Sequence, residues 1–213
     1  MRAIKEPVSS ITHTLFAVLA VPLTGVMIAL SAWLHSPVKI VSFSIFGASL
    51  IMLYAASGIY HAVRASEKVE LCLKKIDHSM IFVLIAGTYT PICLIALKGA
   101  WSVSILSVVW SLAAVGCIMK ILWINSPRWL YTLIYLLMGW FVIVAVKPML
   151  RNIAPGGLLC LLAGGLMYSA GAVIYVLKRP RLINQFFGFH EIFHLFVMAG
   201  TVLHVCFMFV WLL

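Results

Sequence analysis

Apolar residues along this chain of 213 residues collect into seven long runs, without the short alternation of strands or the one-sided stripe of a surface helix. The runs cover residues 11–33, 38–63, 77–97, 101–124, 129–146, 157–177 and 187–213. A helix of about 20 apolar residues crosses the roughly 30 Å of bilayer hydrocarbon. The pattern therefore predicts an all-α integral membrane protein, a seven-transmembrane helix bundle making one domain. The third run is polar at its start, but residues 80–97 are continuous. Only the turn signal Asn125-Ser126-Pro127-Arg128 divides the fourth run from the fifth. Pro22 and Pro91 fall inside runs, where membrane helices tolerate kinks. The sixth run carries Gly156, Gly157, Gly164, Gly165, Ser169 and Gly171, small residues that let helix backbones approach closely.

Composition agrees and removes the soluble alternative. Hydrophobic residues make up 64% of the chain and charged residues 9%, against about 25% charged in soluble domains. Lys and Arg set the orientation. With seven spans, Arg2, Lys5, Arg64, Lys68, Lys74, Lys75, Lys120, Arg128, Lys178, Arg179 and Arg181 fall on one side, and Lys39, Lys98, Lys147 and Arg151 on the other. The more basic side is expected to face the cytoplasm, so the N-terminus is inside and the C-terminus outside. This bias and anionic membrane lipids account for the net charge of +10, and nucleic acid is not an expected partner. The first run is too long for a secretory leader's apolar region, so it is read as a permanent helix. Cys93, Cys117, Cys160 and Cys206 lie in runs and Cys72 in a loop, which gives no disulfide framework.

Polar residues inside the runs carry the chemistry, because each is costly in hydrocarbon and needs a partner. His190 and His194 stand one helical turn apart and share a face. Together with Glu191 they spell His-Glu-x-x-His, a zinc-binding spacing. Alternating spans bring His61, at the end of the second, and Asp77, read as the start of the third, to the same level. Three histidines and the only aspartate thus share one layer near the inner surface. His61, His190 and His194 give three nitrogen ligands for Zn2+, with the fourth position left to water. That water becomes acidic near neutrality. Asp77 is the candidate general base or orienting group, and Ser57, one turn before His61, the candidate partner of a ligand or a substrate carbonyl. Glu191 points about 100° away from His190 around the helix, from where it either approaches the water or pairs with a cation at the surface. His13 lies at the level of the metal, where a supporting role is open to it. His204 is roughly 15 Å farther along its helix, too far to ligate, and is expected to bond between helices. His35 and His78 receive no role. Trp33, Trp101, Trp123, Trp129 and Trp211 lie near span ends, as in an interfacial belt.

Five segments in order carry a resemblance: Glu6…Ser10-Ile11-Thr12-His13; Ser57-Gly58-Ile59-Tyr60-His61; Asp77-His78-Ser79 leading to Ala86-Gly87-Thr88-Tyr89-Thr90-Pro91; Tyr135-Leu136-Leu137-Met138-Gly139-Trp140; and Phe187-Gly188-Phe189-His190-Glu191-Ile192-Phe193-His194. The chain resembles the hemolysin III family, the bacterial branch of the progestin and adipoQ receptor family, from about residue 5 to the C-terminus. The resemblance implies a multi-pass protein of the bacterial inner (plasma) membrane with a cytoplasmic N-terminus. It implies zinc on His61, His190 and His194, with Asp77 bound to zinc through water. The wider superfamily includes alkaline ceramidases, which implies a metal-dependent hydrolase of lipid amides. Two positions depart from the pattern: Ser9 stands where Asn is common, and Glu191 where the receptor branch has Gln. The family's name records cytolysis, so a pore-forming protein is the rival expectation, although no polar stripe continues through the outer half of any run. A sensor of membrane state without turnover is a third, and an intramembrane metalloprotease a fourth.

Overall fold

In the computed structural model, which describes residues 4–180 and 187–213, every long element is a helix. Arg2 and Arg181 of the charge count lie outside the described residues. Among the described residues, seven helices have the length and hydropathy to cross a membrane: α1 Pro7–Trp33, α2 Pro37–Ala62, α3 Glu67–Ala96, α4 Ala100–Leu122, α5 Arg128–Asn152, α6 Pro155–Leu177 and α7 Phe189–Leu212. Neighbours in sequence pack as neighbours in space, α1 on α2, α2 on α3, α3 on α4 and α6 on α7, and α7 returns to touch α1. The centre belongs to α3. In its apolar window 67% of residues are buried, against 17% for α6. The outward faces present large apolar side chains such as Ile11, Val103 and Leu159, as a surface facing lipid requires.

The third helix departs most from its expected bounds. It begins at Glu67, ten residues before Asp77, or roughly 15 Å at 1.5 Å per residue. Apolar counting misses this part because it is rich in charge. Two acidic residues in the first turn, Glu67 and Glu70, favour the positive end of the helix dipole. Asp77 therefore sits about three turns inside α3, not at its start. The fifth helix is also longer than expected, running to Asn152 through a 3-10 stretch at Phe141–Ala145. Near Pro91, α3 passes into a π-helical turn at Ile92–Ala96, which agrees with a proline-induced irregularity. Pro22 lies within α1 without interrupting its assignment.

Polar groups in the bundle are satisfied locally or between helices. The Tyr54 hydroxyl of α2 donates to Thr201 Oγ1 of α7 at 2.7 Å, and Tyr168 of α6 meets the same oxygen at 2.8 Å. Tyr89 repairs the break in α5. Its hydroxyl lies 3.0 Å from Met138 O and 2.8 Å from Gly139 O, and it accepts from Val142 N at 2.7 Å. A lipid-buried ladder interruption would otherwise leave costly unpaired backbone groups. His204 bonds Leu161 O of α6 at 3.3 Å, the inter-helix role expected of it. Trp33, Trp101, Trp123 and Trp129 are exposed near helix ends, in keeping with a belt.

Candidate metal centre and its two cavities

Alternation of the helices puts the start of α1, the end of α2, the start of α3 and the start of α7 at one end of the bundle. The α1–α2 seam is tight there. A Cβ on Gly58 would lie 2.5 Å from Thr14 Oγ1 and 3.1 Å from its backbone nitrogen, so only glycine allows this approach without a shift. Ser10 Oγ donates to Gly58 O across the same seam at 3.1 Å. Three residues on, His61 occupies the last turn of α2, and 2% of its side chain is exposed.

His61, His190 and His194 converge. One ligating atom from each lies within 4.8 Å of the other two, so the three residues could hold a metal ion. His61 Nε2 and His190 Nε2 are 3.4 Å apart. A tetrahedral centre with metal–nitrogen bonds of about 2.0–2.1 Å has an edge of about 3.3 Å. The spacing therefore suits two ligands of one ion. The ring centroids of His190 and His194 are 4.5 Å apart, as the i, i+4 spacing requires. Asp77 is not one of that set of three. It is buried, lies beside Ser57, and has Oδ2 4.0 Å from His78 Nε2. His13 is buried and stacks on His194, with ring centroids 3.8 Å apart. Among the described residues, neither of its ring nitrogens has a hydrogen-bond partner. The structure thus brings together His13, Ser57, His61, Asp77, His190 and His194.

Glu191 takes another position. Its Oε2 accepts from Gly188 N at 2.8 Å, capping the start of α7, and its Oε1 accepts from Ser9 Oγ at 3.1 Å. Both oxygens are thus engaged, one in capping α7 and the other in tying it to α1. The carboxylate that approaches a histidine of the cluster is Glu6, whose Oε2 lies 2.7 Å from His61 Nδ1. The ring N–H is not aimed squarely at that oxygen, but the approach is close enough for a charge-dominated contact. The imidazole of His61, opposed in part by burial, holds the Glu6 carboxyl below its ordinary range.

The residues preceding α1 are fastened so that Glu6 reaches this position. Glu6 N donates to His61 O at 2.9 Å and Lys5 N to Ala62 O at 3.3 Å. Lys5 Nζ pairs with Glu70 Oε2 of α3 at 2.9 Å and lies over the Tyr60 ring. Sequence reasoning named Glu6 in the first segment of the resemblance but gave it no role, because it precedes the first apolar run. The available signal was scarcity: it is one of five acidic residues in the chain.

Two cavities meet at the cluster. A vestibule of about 1330 Å3 opens at the basic end and is lined by Glu6, His61, Asp77 and His190 among others. A chamber of about 400 Å3 runs into the bundle between α3, α5, α6 and α7, past Leu84, Val142, Leu158 and Leu161. Asp77, His78, Tyr131, Tyr175 and His190 line both and form the neck between them. The Tyr131 and Tyr175 hydroxyls are 3.0 Å apart. His78, which sequence reasoning dismissed, stands in this neck with a buried Nδ1 that has no hydrogen-bond partner among the described residues.

Residues 1–205 match the profile of a family described as Haemolysin-III related. The chain is 40% identical over 202 residues to the "Hemolysin-3 homolog" of Bacillus subtilis (strain 168), covering 94% of this chain and 92% of that protein. It is 36% identical over 197 residues to "Hemolysin-3" of Bacillus cereus, covering 92% and 87%. Similarity extends to the human "Monocyte to macrophage differentiation factor", 29% identical over 164 residues, covering 75% and 66%.

Proposed function

The chain belongs to the haemolysin-III-related family of multi-pass membrane proteins, and within that family we propose that it is a zinc-dependent hydrolase of lipid amides or related lipids. The observation that carries the reading is the position of three histidines at the junction of a polar vestibule and an apolar chamber. A lipid threaded through the neck has its chain in the chamber and its polar linkage beside the cluster. His61, His190 and His194 would hold the zinc ion, which would supply Lewis acidity and lower the pKa of water towards 7. Asp77 takes a proton from the attacking water as its oxygen bonds to the carbonyl carbon. It then returns that proton to the nitrogen as the carbon–nitrogen bond breaks, leaving a carboxylic acid and an amine, and the acid's proton passes to the amine to give a carboxylate and an ammonium ion. Ser57 holds Asp77 in place, and Glu6 orients His61. In the proposed orientation this chemistry faces the cytoplasm of a plasma-membrane protein.

The lining of the chamber weighs against the pore reading. The surface of its wall is predominantly apolar, with Leu its commonest residue, whereas a water-filled conduit needs a polar wall. The test uses one preparation of wild type, His61→Ala, His190→Ala, His194→Ala and Asp77→Ala. Zinc content, release of product from a panel of lipid amides and esters, and dye leakage from pure liposomes are measured together. Wild type should hold about one zinc per chain, and the histidine variants should lose most of it. Asp77→Ala should keep the metal and lose turnover by about 100-fold or more. Unchanged zinc in all three histidine variants would remove the site. Leakage without product, equal in wild type and Asp77→Ala, would replace the hydrolase with a pore. Bound zinc with neither product nor leakage would leave a sensor.

A further inference from the structure

We infer that the vestibule recognises an anionic, phosphate-bearing head group, so that the ligand is an amphiphile with that head outside the neck and its apolar chain inside. This rests on reading the chamber as the site of a lipid chain. The vestibule is lined by three carboxylates and five cations. Its carboxylates are committed elsewhere: Glu6 to His61, Glu191 to Gly188 N and Ser9, and Asp77 to the cluster. Among the cations, Lys5 is held by Glu70. Lys74, Arg128 and Lys178 also line the vestibule, and among the described residues no carboxylate pairs with any of them. Arg128 is fixed in place, donating to Tyr175 O at 3.1 Å with its guanidinium 4.5 Å from the centre of the Tyr175 ring. Tyr175 is itself a neck residue, so this cation stands beside the passage to the chamber.

A concave wall with excess positive charge concentrates anions, and cations converging from separate elements suit a phosphate better than a zwitterion. The general basicity of this end of the bundle is a different matter. Lys68 and Arg179 belong to the same end, are exposed, and do not line the vestibule. They carry equal charge outside the site and serve as the control.

The experiment measures binding of a 14-carbon lysophosphatidate and of the 14-carbon lysophosphatidylcholine to full-length protein in neutral detergent, by calorimetry. Wild type should prefer the phosphate monoester head at least tenfold. Lys74→Ala with Lys178→Ala should reduce that preference below threefold, and the paired Arg replacements should restore it. Lys68→Ala with Arg179→Ala should leave it intact. Inorganic phosphate alone should compete only weakly, because it lacks the chain. Equal binding of the two lipids, or equal loss in the control pair, would overturn the inference. Displacement by inorganic phosphate at concentrations matching those of the lipid would overturn the amphiphile and leave a simple anion site. Zinc content and amide turnover are read on the same samples. Retained preference without turnover refutes the hydrolase and leaves the vestibule standing. Turnover with no head-group preference does the reverse.

Discussion

Removing the Glu6 carboxylate should weaken metal binding while leaving every proposed ligand in place. Glu6 Oε2 is 2.7 Å from His61 Nδ1 and 3.9 Å from His190 Nε2, while His61 Nε2 faces His190 Nε2 at 3.4 Å. A negative charge there favours a proton on Nδ1, leaves Nε2 with its lone pair, and makes it more basic. Loss of such a partner typically costs 10–100-fold in metal affinity, or about 1.4–2.7 kcal/mol. The side chain of Glu6 is 37% exposed, and solvent screening weakens exposed charge pairs. The expected loss is therefore about tenfold for Glu6→Gln, at the low end of that range. Glu6→Ala should lose somewhat more, because it also removes the acceptor. Competition of purified protein against a chromophoric zinc chelator measures this directly. The backbone bonds that fasten this segment, Glu6 N to His61 O and Lys5 N to Ala62 O, survive either substitution, and melting of the metal-free variants checks that they do. Zinc affinity within twofold of wild type in both variants, in an assay where His61→Ala abolishes binding, would refute the orienting role.

Three further outcomes are expected. Tyr89→Phe removes the hydroxyl that serves Met138 O, Gly139 O and Val142 N, so it should destabilise the bundle by about 1–3 kcal/mol, read as a lower melting temperature in detergent. An unchanged melt would show that the break in α5 is satisfied otherwise. Gly58→Leu places atoms against Thr14 and should separate α1 from α2, reducing bound zinc though no ligand has changed. Full zinc occupancy would deny that the seam positions His61. For orientation, a reporter fused after Leu213 should be active only outside the cytoplasm and one inserted near Lys68 only inside. The opposite pattern would reverse the charge argument.

The sequence by itself determined the class of the protein, its seven helices and the histidines. Bilayer hydrocarbon demands long apolar runs, so composition counts the spans. Histidines four residues apart share a helix face wherever the helix lies. Once the spans alternate, His61, His190 and His194 come near one level, whereas the depth of Asp77 within its helix was not legible in this way. Where charge dilutes the apolar signal, as in residues 67–76, the same counting placed the start of α3 ten residues late. Tertiary structure decided what depends on the relative placement of distant segments. Glu6 precedes every helix in sequence, yet two backbone bonds lay it against His61. Glu191 belongs to a zinc-binding spacing, yet packing of α7 on α1 turns it to Ser9 and its own helix cap. His78, Tyr131 and Tyr175 are unremarkable in sequence and line a shared neck only because α3, α5 and α6 meet there. Periodicity along one segment carries information about that segment's own faces, whereas the direction in which a side chain finds its partner is set by the helix packed against it.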